Sequence, residues 1–365
     1  MGPDRDARVT VVTDVVTRID DVDAGAYLAL RRACGASAFY DPRLLRAVER
    51  SPLLPADKAF YVVAYDGARL AGLVPMYLQS PAVVDPFGVL AQATTARFEP
   101  DARGLFSHVM HCYDSTVVWD GGPAVLEALF DRMTVLGKGQ ATRHFVIMNV
   151  AEGPLLAAAR GLGLSVSYMF DRFHLDLAGV DDFETLIARK LPQDGRHEMR
   201  RQLRKFAASG ARAAIETVPF ARLDELTELC HQTTARRGTP QYLPPAPLAH
   251  LVRSCGDMIR LVVVYDHDRI VGGVICIDDG PVLHVWLGGM AYDGIDFSPY
   301  SVCFAEAYKY ALAHGKQRVE AGRLNAKIKH RLGLTPQPLH AIVSPDLLAG
   351  AQRGVAAARV GATAG

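Results

Sequence analysis

A chain of 365 residues is long for one domain and about right for two. Half of it is apolar and 22% is charged, so it can bury two cores, and disorder is excluded as its main state. The 40 Lys and Arg against 39 Asp and Glu leave a net charge of +1. That balance excludes a globally basic nucleic-acid binder and an acidic tail, so any electrostatic function rests on local patches.

Six cysteines (Cys34, Cys112, Cys230, Cys255, Cys276, Cys303) are scattered with no CxxC pair, which predicts neither a disulfide framework nor a zinc site. The charged opening, residues 1–8, lacks the apolar core of a signal peptide, and no stretch reaches the roughly 18 apolar residues of a membrane span. A soluble, cytoplasmic, reduced protein is the expectation.

In chain order, helical patterns over 26–32 and 42–50 lead into a β-hairpin, Val62-Val63-Ala64-Tyr65-Asp66-Gly67-Ala68-Arg69-Leu70-Ala71-Gly72, whose apolar runs flank a tight polar turn. Residues 81–103 read as loop and insert. His108, His111 and Cys112 have no distant partner pair, so a partly buried strand is the better reading than a metal site. Gly161-Leu162-Gly163 lacks the third glycine and the acidic partner of a dinucleotide fingerprint.

A basic segment follows. Lys190, Arg196, Arg200, Arg201, Arg204 and Lys205 crowd together with only Asp194 and Glu198 against them. On a helix Arg196, Arg200 and Arg204 form one stripe with Arg201 and Lys205 alongside, Met199, Leu203 and Phe206 take the opposite face, and Gly210 stops the helix. Such a run is either a solvated face or a binding ridge, and a cleft between two similar domains would favour the second.

The second half repeats the first. A helical pattern over 223–237 precedes Val262-Val263-Val264-Tyr265-Asp266-His267-Asp268-Arg269-Ile270-Val271-Gly272, and Tyr65 and Tyr265, Asp66 and Asp266, Arg69 and Arg269, Gly72 and Gly272 each stand 200 apart. Two related half-chains explain this better than chance. Strands over 259–265, 270–277 and 282–287 form a meander. A helix opens at Ser298-Pro299 and closes at Gly315, with Val302, Ala305, Tyr308 and Leu312 facing the sheet. A strand over 317–321 and a short helix over 326–331 ended by Gly333 complete a mixed α/β layer, helices on a largely antiparallel sheet. The Ala-, Gly- and Arg-rich residues after 348 are expected to fray.

The stretch Arg318-Val319-Glu320-Ala321-Gly322-Arg323-Leu324-Asn325-Ala326-Lys327-Ile328-Lys329-His330-Arg331-Leu332-Gly333, an acid-x-Gly-Arg at a strand end followed by an apolar residue and Lys, resembles the Fem-type and related GNAT-superfamily acyltransferases. Asp296-Phe297-Ser298-Pro299 with Tyr308, Ala311 and Gly315, the Arg-rich segment, Phe39-Tyr40-Asp41-Pro42 and Leu73-Val74-Pro75-Met76-Tyr77 extend the resemblance over nearly the whole chain. It implies an α/β (α+β) fold of two tandem GNAT-like domains, 1–180 and a catalytic 181–348, with 349–365 a tail, and the transfer of an activated acyl group to an amine or hydroxyl.

Carried over residue by residue, Lys329 takes the family's Phe-Lys position, with Ile328 in place of Phe. It would bind donor phosphate or stabilise the developing oxyanion, unless it is simply an exposed helix lysine. Arg323 would contact phosphate or carboxylate. Glu320 would accept the acceptor's proton, or pair with Arg323. His284 and Trp286, on one strand face by period two, and Tyr308 would border the acceptor, with a core role as the alternative.

A coenzyme A donor usually lies on a Gly-rich loop with a basic lead at a helix N-terminus. The corresponding 289–297 holds Asp293 and Asp296 and no base. The resemblance therefore implies aminoacyl-tRNA as co-substrate, tracked by Arg196, Arg200, Arg204 and Lys205, and no tightly bound cofactor. The acceptor would be a small-molecule amine or cell-wall precursor, and the composition suggests a high-GC bacterium and antibiotic biosynthesis. An acyl-CoA-dependent N-acyltransferase and a catalytically inactive double-GNAT binding protein remain open.

Overall fold

The structure, a computed structural model, describes residues 11–94, 102–107, 112–142 and 145–344. His108, His111 and the 349–365 tail lie outside them. The chain forms two compact units: Met1–Glu49, Pro55–Met169 and Leu339–Gly365 make the first, Arg50–Leu54 and Phe170–Pro338 the second.

The first unit runs β1 (Val11–Val16), α1 (Ala24–Ala33), α2 (Pro42–Arg50), β2 (Lys58–Asp66), β3 (Arg69–Gln79), α3 (Pro81–Val84), α4 (Val89–Thr94), β4 (Gly104–Ser107), β5 (Val118–Trp119), α5 (Pro123–Gly139), β6 (Phe145–Ala151) and α6 (Pro154–Gly161) into β7 (Ser165–Asp176). Its sheet has the order β1-β2-β3-β4-β6 with β5 also on β3. Only β4 and β6 are parallel among these pairs. Leu126, Leu129 and Met133 of α5 pack on Val62, Ala71 and Val74 of the sheet, all buried, as the 3.6 period of one and the pleat of the other demand.

The second unit contains α7 (Phe183–Lys190), α8 (Gln193–Ala208), β8 (Arg212–Glu216), α9 (Leu223–Ala235), α10 (Pro245–Cys255), β9 (Ile259–Asp266), β10 (Arg269–Asp279), β11 (Val282–Met290), α11 (Pro299–Ala313), β12 (Arg318–Glu320), α12 (Ala326–Arg331) and the start of β13 (Thr335–Val343). The strand order is β7-β12-β11-β10-β9-β8, with β11–β12 parallel and the other pairs antiparallel. Val302, Ala305 and Tyr308 of α11 are fully buried against this sheet, while Leu312 stays half-buried. Ser298 Oγ accepts the Ser301 N–H at 3.2 Å, so the N-cap read from Ser298-Pro299 closes the first turn of α11.

The internal repeat survives at atomic detail. β3 and β10 have the same length exactly 200 residues apart. Each hairpin skips one residue at the same place, Ala71 in one and Val271 in the other. The turn residue is left-handed in both, at Gly67 (φ 61°) and at His267 (φ 52°). A shared bulge is not required by two generic hairpins. Element by element, β2, β3, α5, β6, α6 and β7 match β9, β10, α11, β12, α12 and β13. In both halves the last strand turns to the other set: Leu339 to Val343 pair with β6, and His174 to Asp176 pair with β12.

Three stretches differ from the sequence expectation. Residues 81–94 are not loop but α3 and α4. The Asp85 carboxylate accepts the amides of Val89 and Leu90 at 2.8 Å, a cap placed several residues ahead of the helix it starts. β8 and α10 carry no signal strong enough to be read as elements. Cys112 is buried, and its carbonyl accepts the Asn149 side-chain amide at 2.7 Å, as a packed segment would. No described helix is long and apolar enough to cross a membrane, and among the described residues no group of three His, Cys, Asp or Glu is arranged to hold a metal.

Candidate active site

In the second unit the parallel pairing of β11 with β12 lasts three residues, ending at His284 opposite Glu320. β12 stops there, whereas β11 runs on to Met290 past a bulge at Trp286, the residue skipped between the Ile275–Leu287 and Cys276–Val285 pairs. Beyond the His284–Glu320 pair the two strands are no longer paired, which leaves a gap in the ladder between 286–290 and 321–325. Helix α9 closes in on β11 because Gly289 has no side chain: a Cβ there would lie 2.4 Å from the Cys230 backbone nitrogen. Thr233 accepts the Met290 N–H at 2.9 Å and Arg236 donates to the Met290 carbonyl at 2.8 Å, so the C-terminal end of α9 lies along the gap.

The opposite wall is a strained loop. Gly322, Leu324 and Asn325 are all left-handed, with φ of 64°, 51° and 59°. For Leu324 that conformation is costly, and strain of this kind concentrates where a site is being shaped. The loop is held by Lys329, one turn into α12. Its ammonium, in a side chain only 3% exposed, donates to the carbonyls of Ala321, Gly322 and Arg323. Burial, with Arg323 and Arg237 nearby, pulls its pKa down to about 7. Arg323 lays its guanidinium over Phe170, 4.7 Å from the ring centre. Tyr300, in the first turn of α11, bonds the Asn325 side chain, and desolvation pushes its hydroxyl up to about 12.

The expected site residues therefore divide. Arg323 and Lys329 come together at the gap, but Lys329 is neither an exposed helix lysine nor open to a phosphate, since all three of its N–H donors are engaged by backbone. Glu320 is 3% exposed and lies 3.7 Å from both Arg172 and Arg318 rather than against Arg323. His284 and Trp286 are buried where the pairing with β12 ends, and a bulge falls at Trp286. Tyr308 is a core residue. It is fully buried, and its hydroxyl donates to the Leu332 carbonyl at 3.0 Å. Sequence reasoning missed Arg236, Arg237, Tyr300 and Asn325. Of these only Asn325, a cap residue before a short helix, left a readable signal.

The basic ridge lies on α8 as expected, but it is not a row of unpaired cations. Arg200 pairs with Glu184 at 3.1 Å and Lys205 with Asp296 at 2.7 Å. Arg196 donates to the Ala188 carbonyl. Arg204 is exposed and forms no ion pair among the described residues. α8 reaches α12 through Gly195, where a Cβ would stand 1.9 Å from the Arg331 carbonyl oxygen, and through the Arg331–Asp194 pair at 3.0 Å.

The N-terminus of α11, the natural anion seat beside the gap, is already occupied by the protein itself. Gln202 Oε1 accepts the Ser298 N–H at 2.7 Å, Ser298 Oγ takes that of Ser301, and Pro299 has none to offer. Asp293 and Asp296 stand in the preceding loop, and Lys205 is bonded to Asp296 both at its carboxylate and at its carbonyl.

No curated protein matches the chain at a significant level. Solved structures do match its fold. FemX shares 10% identity over 90% of this chain and 96% of its own, with a TM-score of 0.59. A tandem GNAT protein from the clavulanic acid biosynthesis pathway shares 14% over 92% and 98%, at 0.55. The C-terminal domain of a putative lysylphosphatidylglycerol synthetase from Agrobacterium fabrum shares 11% over 91% and 96%, also at 0.55. Residues 193–330 match the family model of the acetyltransferase (GNAT) domain, which spans α8 to α12 and both walls of the gap. Residues 193–330 of the second unit thus match an acetyltransferase (GNAT) domain, and the chain has the fold of the tandem GNAT protein and of FemX.

Proposed function

We propose that the second unit transfers an aminoacyl group from aminoacyl-tRNA to the amine, or less readily the hydroxyl, of a small molecule or cell-wall precursor. The observation that carries this reading is the blocked N-terminus of α11. A coenzyme A pyrophosphate brings two negative charges to the place where Asp293 and Asp296 stand, and the Ser298 and Ser301 amides there are already taken by Gln202 and by the Ser298 hydroxyl. A tRNA donor needs no such seat. Its phosphates meet exposed arginines on α8, among them Arg204 and Arg200, whose surface pair with Glu184 is weak enough to be exchanged for phosphate.

In the gap, the acceptor nitrogen attacks the ester carbonyl, the bond to the ribose oxygen breaks, and the nitrogen's proton ends on that oxygen. Arg323 and Arg237 supply positive charge beside the developing oxyanion, and Tyr300, held protonated, donates a hydrogen bond. Such a donor implies a cytoplasmic setting. The clavulanic acid pathway of one structural neighbour suggests specialised metabolism as the context.

Fluorescence anisotropy with charged tRNA, set beside calorimetry with coenzyme A, separates the donors. We expect tRNA binding that falls steeply with salt and weakens in Arg200→Ala/Arg204→Ala, with no saturable heat from coenzyme A. Micromolar coenzyme A binding without tRNA binding would assign the acyl-CoA-dependent alternative instead.

A further inference from the structure

The first unit has its own cleft at the place that corresponds to the gap of the second. It encloses about 450 Å³ and is lined by the end of α1 (residues 33–37), by 114–116 and 119–121, and by 150–155. Each wall has a counterpart. The end of α1 matches the end of α9 with Arg236 and Arg237, 119–121 matches the approach to α11, and 150–155 matches 320–326 with Arg323. The twin positions differ in charge. Where the second unit gathers Arg237, Arg323 and Lys329, the cleft of the first presents Asp114, Asp120 and Glu152, and its described lining contains no Lys, Arg or His.

Two residues of the lining, Trp119 and Ser37, each carry a polar atom without a partner. The Trp119 indole N–H and the Ser37 hydroxyl oxygen are shut off from water and have no hydrogen-bond partner among the described residues. Buried donors are normally paired, and a ligand is one way to pair them. Asp120 and Glu152 hold Arg69 at 2.6 Å and Arg160 at 3.2 Å, but neither arginine belongs to the lining. These are exposed pairs, and a cation entering the cleft can share their carboxylates at little cost.

From this geometry we propose that the first unit binds a small protonated amine that also carries hydroxyl or carbonyl oxygens. Its ammonium lies among Asp114, Asp120 and Glu152, an oxygen accepts the Trp119 N–H, and its apolar face rests on the indole. The site is separate from the acyl-transfer gap and does not depend on the identity of the donor there.

The chain has two tryptophans, so Trp286→Phe leaves Trp119 as the only indole reporter. We would titrate that full-length variant by fluorescence, and the unmodified chain by calorimetry, with glucosamine, N-acetylglucosamine and glucuronate, three sugars of similar size that differ in charge. Glucosamine should saturate both signals, the other two should bind at least about tenfold more weakly, and Asp114→Asn and Glu152→Gln should each weaken glucosamine by roughly tenfold. No saturable glucosamine binding, or N-acetylglucosamine or glucuronate binding as tightly, overturns the proposal.

Discussion

The Lys329 ammonium is buried and bonded to three carbonyls of the loop that carries Arg323. Its position beside Arg323 follows from the strand-loop-helix pattern. Its partners, however, are backbone carbonyls that converge only because Gly322, Leu324 and Asn325 turn left-handed, and nothing in Leu324 announces that turn. Truncation should therefore act on stability first. Lys329→Ala leaves three buried acceptors without donors and is expected to cost about 2–4 kcal/mol in denaturant unfolding, so lost turnover in that variant does not identify a catalytic group.

The pH dependence has a definite sign. The folded-state pKa of about 7 lies below the 10.5 of an ordinary lysine, so between those values the unfolded chain holds the extra proton and stability rises with pH. Unfolding midpoints from pH 7 to 10 should rise less in Lys329→Met than in the parent. Tyr300→Phe removes the bond to Asn325 and the one protonated hydroxyl identified at the gap. We expect kcat to fall about tenfold or more with stability changed by under about 1.5 kcal/mol, read from steady-state kinetics beside unfolding.

At the scale of elements, legibility followed locality. α2 and α12 were read to the residue and α11 from its Ser-Pro start, because their caps and periodicities lie within a few positions. α4 was missed because its cap, Asp85, precedes it by several residues, and α3 because it is a single turn of four residues. β13 was missed because its partner β6 lies about 190 residues earlier, and no local pattern can report a pairing that distant. The contact of α8 with α12 through Gly195 was equally silent. Gly195→Ala places a methyl against the Arg331 carbonyl and should cost about 3 kcal/mol as the helices separate. The same substitution at Gly161, which has open space around it, should change thermal stability by under about 1 kcal/mol.

At the scale of the whole molecule, the repeat was legible from four residue pairs at one offset, and the shared bulge at Ala71 and Val271 accounts for it physically. The exchange of last strands was not legible, and it makes the first unit depend on the far end of the chain. Leu339, Ala341, Ile342 and Val343 are fully buried. A chain ending at Pro338 loses about 5 kcal/mol of burial or more from the first unit, comparable to a small domain's entire stability. Hydrogen exchange should then show β2, β3 and β6 deprotected and β9 to β11 still protected.

The central claim, that the second unit moves an acyl group from a tRNA ester, is tested most directly by product mass spectrometry. The full chain would be incubated with an amine acceptor mixture and either total charged tRNA or a panel of acyl-CoA thioesters. The account predicts an aminoacylated amine only with charged tRNA, abolished by prior ribonuclease treatment. An acylated product formed from the thioesters alone would contradict it.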